Sequence, residues 1–197
     1  MKGKGSDQRG FTLVELAIVL VVIGLILGTV LKGQEIINNA KIKQLYNDYR
    51  GVFAAVYTYY DRYHKYPGDD HKASKRWPGA KDGNHDGKIG AGDDILTNCT
   101  DSSDNETCTA WEHMRMAGLI PGAGRENPLH AYGGVIGIGY MDGSGSIPEG
   151  HWILLTDVPG DVGQGLDEHY DDGEYDCGTI RASMMYDNAT VDFYLKL

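Results

Sequence analysis

Residues 82–93 read DGNHDGKIGAGD, a run dense in oxygen donors. Asp82, Asn84 and Asp86 stand at positions 1, 3 and 5 of that run, the Lys88 carbonyl falls at position 7, and Asp93 closes it at position 12. Gly87 occupies position 6, where such a loop must turn sharply, and Ile89 at position 8 can anchor it to a core. Oxygen ligands gathered around a tight turn suit a hard cation, and Ca²⁺ is the expected cofactor. An Asp/Asn/Gly cluster is also ordinary turn chemistry, but the coincidence of positions favours the metal. A second acidic stretch offers Asp167, Asp171, Asp172 and Asp176 as further candidate calcium ligands, or as a tight acidic turn before a strand.

The remaining reactive side chains point away from catalysis. The chain has 3 cysteines and 7 histidines. Cys99 and Cys108 flank the polar loop TDSSDNET, which a disulfide would tie down in an oxidising compartment. Cys177 is left over and is an alternative partner for either, with Cys99–Cys108 the favoured pairing. His64, His71, His85, His113, His130, His151 and His169 show no metalloprotease spacing, and no nucleophile signature stands near them. Gly137-Ile138-Gly139 lacks the downstream glycine of a dinucleotide loop. No enzyme is expected. The 28 acidic and 18 basic residues give a net charge of −10, which argues against a nucleic-acid partner.

These residues need a scaffold, and the amino-terminal third supplies a distinctive one. Residues 1–10 carry Lys2, Lys4 and Arg9 against Asp7, a net charge of 3 − 1 = +2. From Phe11 to Leu31 the chain is apolar apart from Glu15. As a helix that stretch reaches roughly 31 Å, the thickness of a bilayer hydrocarbon core. Positive charge ahead of it orients the N-terminus to the cytoplasm. Beyond Lys32 an apolar stripe of Ile37, Ile42, Leu45, Tyr49, Val52, Phe53, Val56 and Tyr60 keeps a helical period. One helix is therefore expected from about Thr12 to His64, roughly 80 Å long, with Pro67-Gly68 as the first firm stop.

The rest of the chain reads as a head of short elements. A helix is expected at Thr109–Ala117, with Thr109 and Glu112 as a capping box and Gly118 as its stop. Strands are expected at Val135–Met141, Trp152–Thr156, Thr179–Met185 and Thr190–Leu197. Short connections favour an antiparallel sheet, onto which the amphipathic half of the long helix can lay its stripe. The expected class is α+β, with a leader at 1–10, a long helix at 11–65 (membrane-spanning over 11–31) and a globular head at 66–197.

The run Gly10-Phe11-Thr12-Leu13-Val14-Glu15, behind a short basic leader and at the head of the apolar stretch, resembles the processing signature of type IV pilins and pseudopilins. The resemblance covers about the first thirty residues. It implies a pilin fold, cleavage between Gly10 and Phe11 by a prepilin peptidase, and N-methylation of Phe11. It also implies that Glu15 pairs with the Phe11 amine of a neighbouring subunit. A carboxylate in lipid costs about 2.5–3.5 kcal/mol at the bilayer centre, so Glu15 needs a partner. The Thr12-x-x-Glu15 capping box offers a local one. The implied partners are copies of itself, other pilins, the peptidase, an inner-membrane assembly platform and the membrane. The implied location is the bacterial inner membrane, followed by a periplasmic pseudopilus or an extracellular pilus.

Three further stretches are similar to a subgroup of pilin-like proteins with variable heads: Tyr66-Pro67-Gly68-Asp69, Trp111-Glu112-His113-Met114 and Leu166–Gly173. Residues 82–93 resemble the EF-hand and dockerin loop, with Asp93 in place of the usual glutamate and no obvious flanking helices. Tyr66–Asp69 reads most simply as a Pro-Gly turn that redirects the chain off the helix. The leading expectation is a filament subunit, major or minor, of a type IV pilus or a type II secretion pseudopilus. The alternative is a filament-mounted adhesin or substrate-binding head, which exposed Trp77, Trp111 or Trp152 would favour.

Overall fold

The computed structural model describes residues 11–90, 95–143 and 147–197; Gly10 and Asp93 lie outside the described residues. In chain order the elements are α1 (Leu13–Tyr63), α2 (Ala73–Arg76), α3 (Glu106–Met116), β1 (Ile136–Met141), β2 (Gly150–Pro159), α4 (Gly160–Tyr170), β3 (Ile180–Ala182) and β4 (Thr190–Lys196). The expected α+β architecture, a long N-terminal helix followed by a small antiparallel sheet, is the one the chain adopts. Two compact units divide at Ala40/Lys41. The boundary falls inside α1 rather than at its end, because the second half of the helix packs within the core of the head.

In the first unit, α1 is apolar on every face as far as Leu31, Glu15 apart, and side chains such as Leu16, Ile18, Val22 and Leu27 are exposed. Among the described residues α1 is the one helix long and apolar enough, by length and composition, to cross a membrane. In the second unit the same helix buries Leu45, Val52, Ala55, Val56 and Tyr59. That spacing follows one helical face. It corrects the expected stripe: Tyr59 is fully buried, whereas Ile37, Phe53 and Tyr60 are exposed. The aromatic run gave no signal as to which of two adjacent tyrosines turns inward.

The sheet runs β1-β2-β4-β3, every pair antiparallel. Ile138 lies opposite Ile153, Ile153 opposite Leu195, and Leu195 opposite Ile180. These residues and Phe193 meet Leu45, Val56, Tyr59, Trp111 and Met114 in the main core. The alternate positions Trp152 and Leu154 join Met141, Ile95 and Ile147 in a second cluster, as side chains two residues apart share a face. Between Leu155 and Val158 the β2–β4 register shifts, and Asp157 takes a left-handed φ of 54° there.

Three sequence expectations need correcting. The third helix begins at Glu106, capped by Asn105 through a 2.9 Å bond from the Thr107 N–H. Thr109 is inside it, and Glu112 binds the Arg125 Nε at 2.9 Å instead of reaching back to a cap. The strand expected at Thr179–Met185 is only three residues long, Ile180–Ala182. Finally, α4 occupies a stretch where no helix was expected, and it holds Gly160, Gly163 and Gly165. Glycine weakens a helix by about 1 kcal/mol, but a Cβ on Gly163 would stand 3.3 Å from the Tyr186 ring and 3.4 Å from that of Phe193. Close packing on β4 is the reason for that glycine.

Candidate metal centre and amino-terminal motif

Where α1 ends, His64 adopts a φ of 54° and its N–H still donates to the Tyr60 carbonyl at 2.7 Å. The chain then turns through Pro67 and Gly68, whose φ is 88°. The Gly68 N–H donates to His113 Nδ1 at 3.0 Å, while His113 Nε2 lies 2.8 Å from the Lys81 carbonyl. Burial pushes the His113 pKa down, and a neutral ring with its proton on Nε2 satisfies both contacts. This turn delivers two consecutive buried acids, Asp69 and Asp70.

Asp70 is fully partnered. It accepts from the Tyr59 hydroxyl at 2.7 Å and the Lys72 N–H at 3.0 Å, and it pairs with the Arg76 guanidinium. Asp69 differs: its Oδ2 accepts the Gly87 N–H at 3.1 Å, and its buried Oδ1 has no hydrogen-bond partner. One oxygen from each of Asp69, Asp86 and Glu106 lies within 4.8 Å of the other two. Glu106 accepts the N–H groups of Asn84 at 2.7 Å and Gly90 at 3.1 Å. Burial, together with the neighbouring carboxylates, pushes the Asp69 and Glu106 pKa values up.

The 82–93 run is thus distributed differently from a self-contained loop. Asp82 accepts both the N–H and the hydroxyl of Ser74, each at 2.8 Å. Those bonds hold its pKa below the usual carboxylate range. The Asn84 side chain accepts the Asp86 N–H at 2.9 Å and lies 3.0 Å from Asp86 Oδ2. Asp86 Oδ1 accepts the Lys88 N–H at 2.9 Å. Ile89 is fully buried. The structure therefore brings Asp86 to Asp69 and Glu106, and ties Asp82 to Ser74. Asp69 and Glu106 were not singled out as ligands from the sequence. The signal for Asp69 was the Tyr66–Asp69 stretch, which reads equally well as a turn; Glu106 gave none.

A second group joins Asp167, Asp171 and Asp172, again within 4.8 Å, and excludes Asp176. Asp167 is fully buried, accepts the Tyr186 hydroxyl at 2.6 Å and has an unpartnered Oδ1. Asp171 Oδ2 accepts the N–H groups of Thr179 at 2.5 Å and Ile180 at 2.9 Å, which fixes the entry into β3.

Elsewhere, Cys99 and Cys108 form a disulfide with a Cα–Cα distance of 5.4 Å, and Cys177 is free and exposed. Arg125 secures the same loop, reaching the Ser103 carbonyl at 2.8 Å and Asp104 at 2.9 Å. Trp111 and Trp152 are fully buried, and Trp77 packs edge-on against Tyr63. The tryptophans named for an adhesive surface are core or semi-core residues.

At the start of α1, the Thr12 N–H and hydroxyl both donate to Glu15 Oε2 at 2.8 Å, and the Glu15 N–H donates to Thr12 Oγ1 at 3.2 Å. The capping box is formed within one chain, and Phe11 beside it is exposed. This segment is also where the chain resembles a known family. A model of the prokaryotic N-terminal methylation motif matches residues 5–31. The match covers the amino-terminal segment alone and supports a type IV pilin-like or pseudopilin-like precursor. An apolar N-terminal helix with that motif fits membrane anchoring. No curated protein and no solved structure matches the chain.

Proposed function

We propose that this chain is a structural subunit, major or minor, of a type IV pilus or a type II secretion pseudopilus. The observation that supports the reading most is the methylation motif at residues 5–31, set at the head of a helix whose apolar side chains are exposed. Hydrolysis of the Gly10–Phe11 peptide bond leaves the leader with a carboxylate and Phe11 with a free amine, which is then methylated. The subunit waits in the inner membrane, N-terminus cytoplasmic, until an assembly platform draws it into the filament. Apolar half-helices then bundle, and Glu15 exchanges part of its local cap for the Phe11 amine of a neighbour. The role is packing and not catalysis. Calcium held around the acidic 82–93 segment stabilises the head.

Replacing Gly10 with leucine tests the reading. The precursor should stay uncut, its mass higher by the ten leader residues, and filaments should be lost. Filament protein from the unmutated chain that still carried residues 1–10 would overturn it.

A further inference from the structure

Asp69, Asp86 and Glu106 reach one point from three separate segments: the turn after α1, the loop after α2, and the first turn of α3. Among the described residues none of the three forms an ion pair. Of the nearby cations, Arg76 pairs with Asp70, Lys81 with Asp104 and Lys88 with Asp142, while Lys65 is hydrogen-bonded to His85. The two buried neighbours make the point sharply. Asp70 has a guanidinium, a phenol and an amide, whereas Asp69, equally buried at 1% exposure, has backbone amides alone and a bare Oδ1. Leaving a buried charge without a counter-charge is among the costliest arrangements a fold can hold.

The backbone prevents the acids from moving apart to relieve this. Gly83 lies so close to the Gly68 carbonyl and the Asp69 backbone that no Cβ fits there. Gly68 is pressed in the same way against the Glu106 carbonyl, and a Cβ on Gly90 would stand 2.7 Å from the Thr107 methyl. Three glycines thus clamp the three acid-bearing segments together. Asp69 also lines a pocket of about 190 Å³ with Tyr60, His64, Lys65, Tyr66, His85 and Gly87, in which the Lys65 ammonium is held by the His85 ring.

We propose that Asp69, Asp86 and Glu106 bind one calcium ion, which fastens the end of α1 and the start of α3 to the acidic loop. Three oxygens spread evenly round one calcium stand about 4.0–4.5 Å apart, given bonds of 2.3–2.6 Å, and the trio's oxygens lie within 4.8 Å of one another. Oxygen-only ligands and a net charge of −3 suit a hard divalent ion. The proposal rests on the calcium reading of the head given above and changes its ligands: Asp69 and Glu106 enter, and Asp82, held by Ser74, does not.

The test is a calcium titration of the full chain in detergent after chelator treatment, followed by calorimetry and by melting with and without calcium. Asp69→Asn and Glu106→Gln should each remove one bound calcium per chain or weaken it at least tenfold. Each should melt no lower than the unmutated chain when calcium is absent, since a repelling charge is gone, and lower than it when calcium is present. A variant that merely packs badly would melt lower in both conditions. Ions held by the Asp167 group would persist in both variants. Unchanged calcium stoichiometry and affinity in both would overturn the proposal. Loss confined to Asp82→Ala would return the ion to the loop alone. No calcium uptake by the unmutated chain would remove the trio and the broader calcium reading together, while leaving the filament assignment to the Gly10 experiment.

Discussion

Residues 11–40 and 41–197 share one helix and treat their side chains in opposite ways. In the first unit Leu16, Ile18 and Val22 are exposed, and the groups that need partners find them within four residues: Glu15 on Thr12, Thr29 on the Leu25 carbonyl, Lys32 on Glu35. In the second unit Leu45, Val56 and Tyr59 are fully buried, and the important contacts span long stretches of sequence. Tyr49 donates to the Lys196 carbonyl at 3.0 Å, Gly68 to His113, and Arg125 to Glu112. A segment whose polar needs are met locally keeps its apolar surface free for lipid or other helices. A segment that closes on itself gains stability from burial and becomes sensitive to any change in its interior.

That contrast predicts where each perturbation is felt. The largest effect should come from Glu15→Val. By the apolar criterion the variant should insert more readily, and the melting of the head should not change, yet filament yield should collapse. Normal yield and subunit order, scored by electron microscopy and sheared-filament blots, would break the contrast by showing that the first unit needs no charge for assembly.

Acid should act on the second unit through His151. Its Nε2 accepts the Ile89 N–H at 3.3 Å, and burial, its largest cause, lowers its pKa to about 4. Between about pH 6.5 and pH 4 the unfolded chain binds a proton that the folded head refuses, so stability falls as pH falls through that window. The contribution is up to about 3 kcal/mol. Denaturant melts across the window should show this slope, and His151→Gln should flatten it by that amount. An unchanged slope in the variant would assign the acid sensitivity to other groups.

A comparable or slightly smaller loss should follow opening of the Cys99–Cys108 bridge, which spans nine residues. Closing a loop of that length is worth about 2–3 kcal/mol by chain entropy. The Cys99→Ser/Cys108→Ser chain should melt lower by the corresponding amount and still insert in membranes. A reducing agent should reproduce the shift in the unmutated chain and have no effect on the double variant.

Much of this molecule is written locally. A helix long enough to span a bilayer, the capping box of Thr12 and Glu15, and the Cys99–Cys108 bridge each depend on residues at most nine apart or on a sustained period, which a sequence displays directly. All four strands were legible as short apolar runs, though the third was read too long, and β4 alternates in burial through Val191, Phe193 and Leu195. The choice of Tyr59 over Tyr60 and the capping of α3 by Asn105 were not: Tyr59 meets Asp70 across the turn, and the rival cap residue Glu112 is taken by Arg125. The glycines of α4 carried no helical signal, and Gly163 finds its reason only where Phe193 of β4 packs against it.

The acidic centre divides in the same way. Sequence alone determined that the chain carries a motif-bearing apolar helix and a loop dense in oxygen donors. Only the tertiary structure decided which oxygens meet, bringing Asp69 and Glu106 to Asp86 and leaving Asp82 with Ser74. The physical reason is range: a period, a cap or a turn is fixed by neighbours along the chain, whereas convergence of residues 69, 86 and 106 requires three segments to be pressed together. The contacts that press them, glycine backbone against backbone, have no side-chain signature to read.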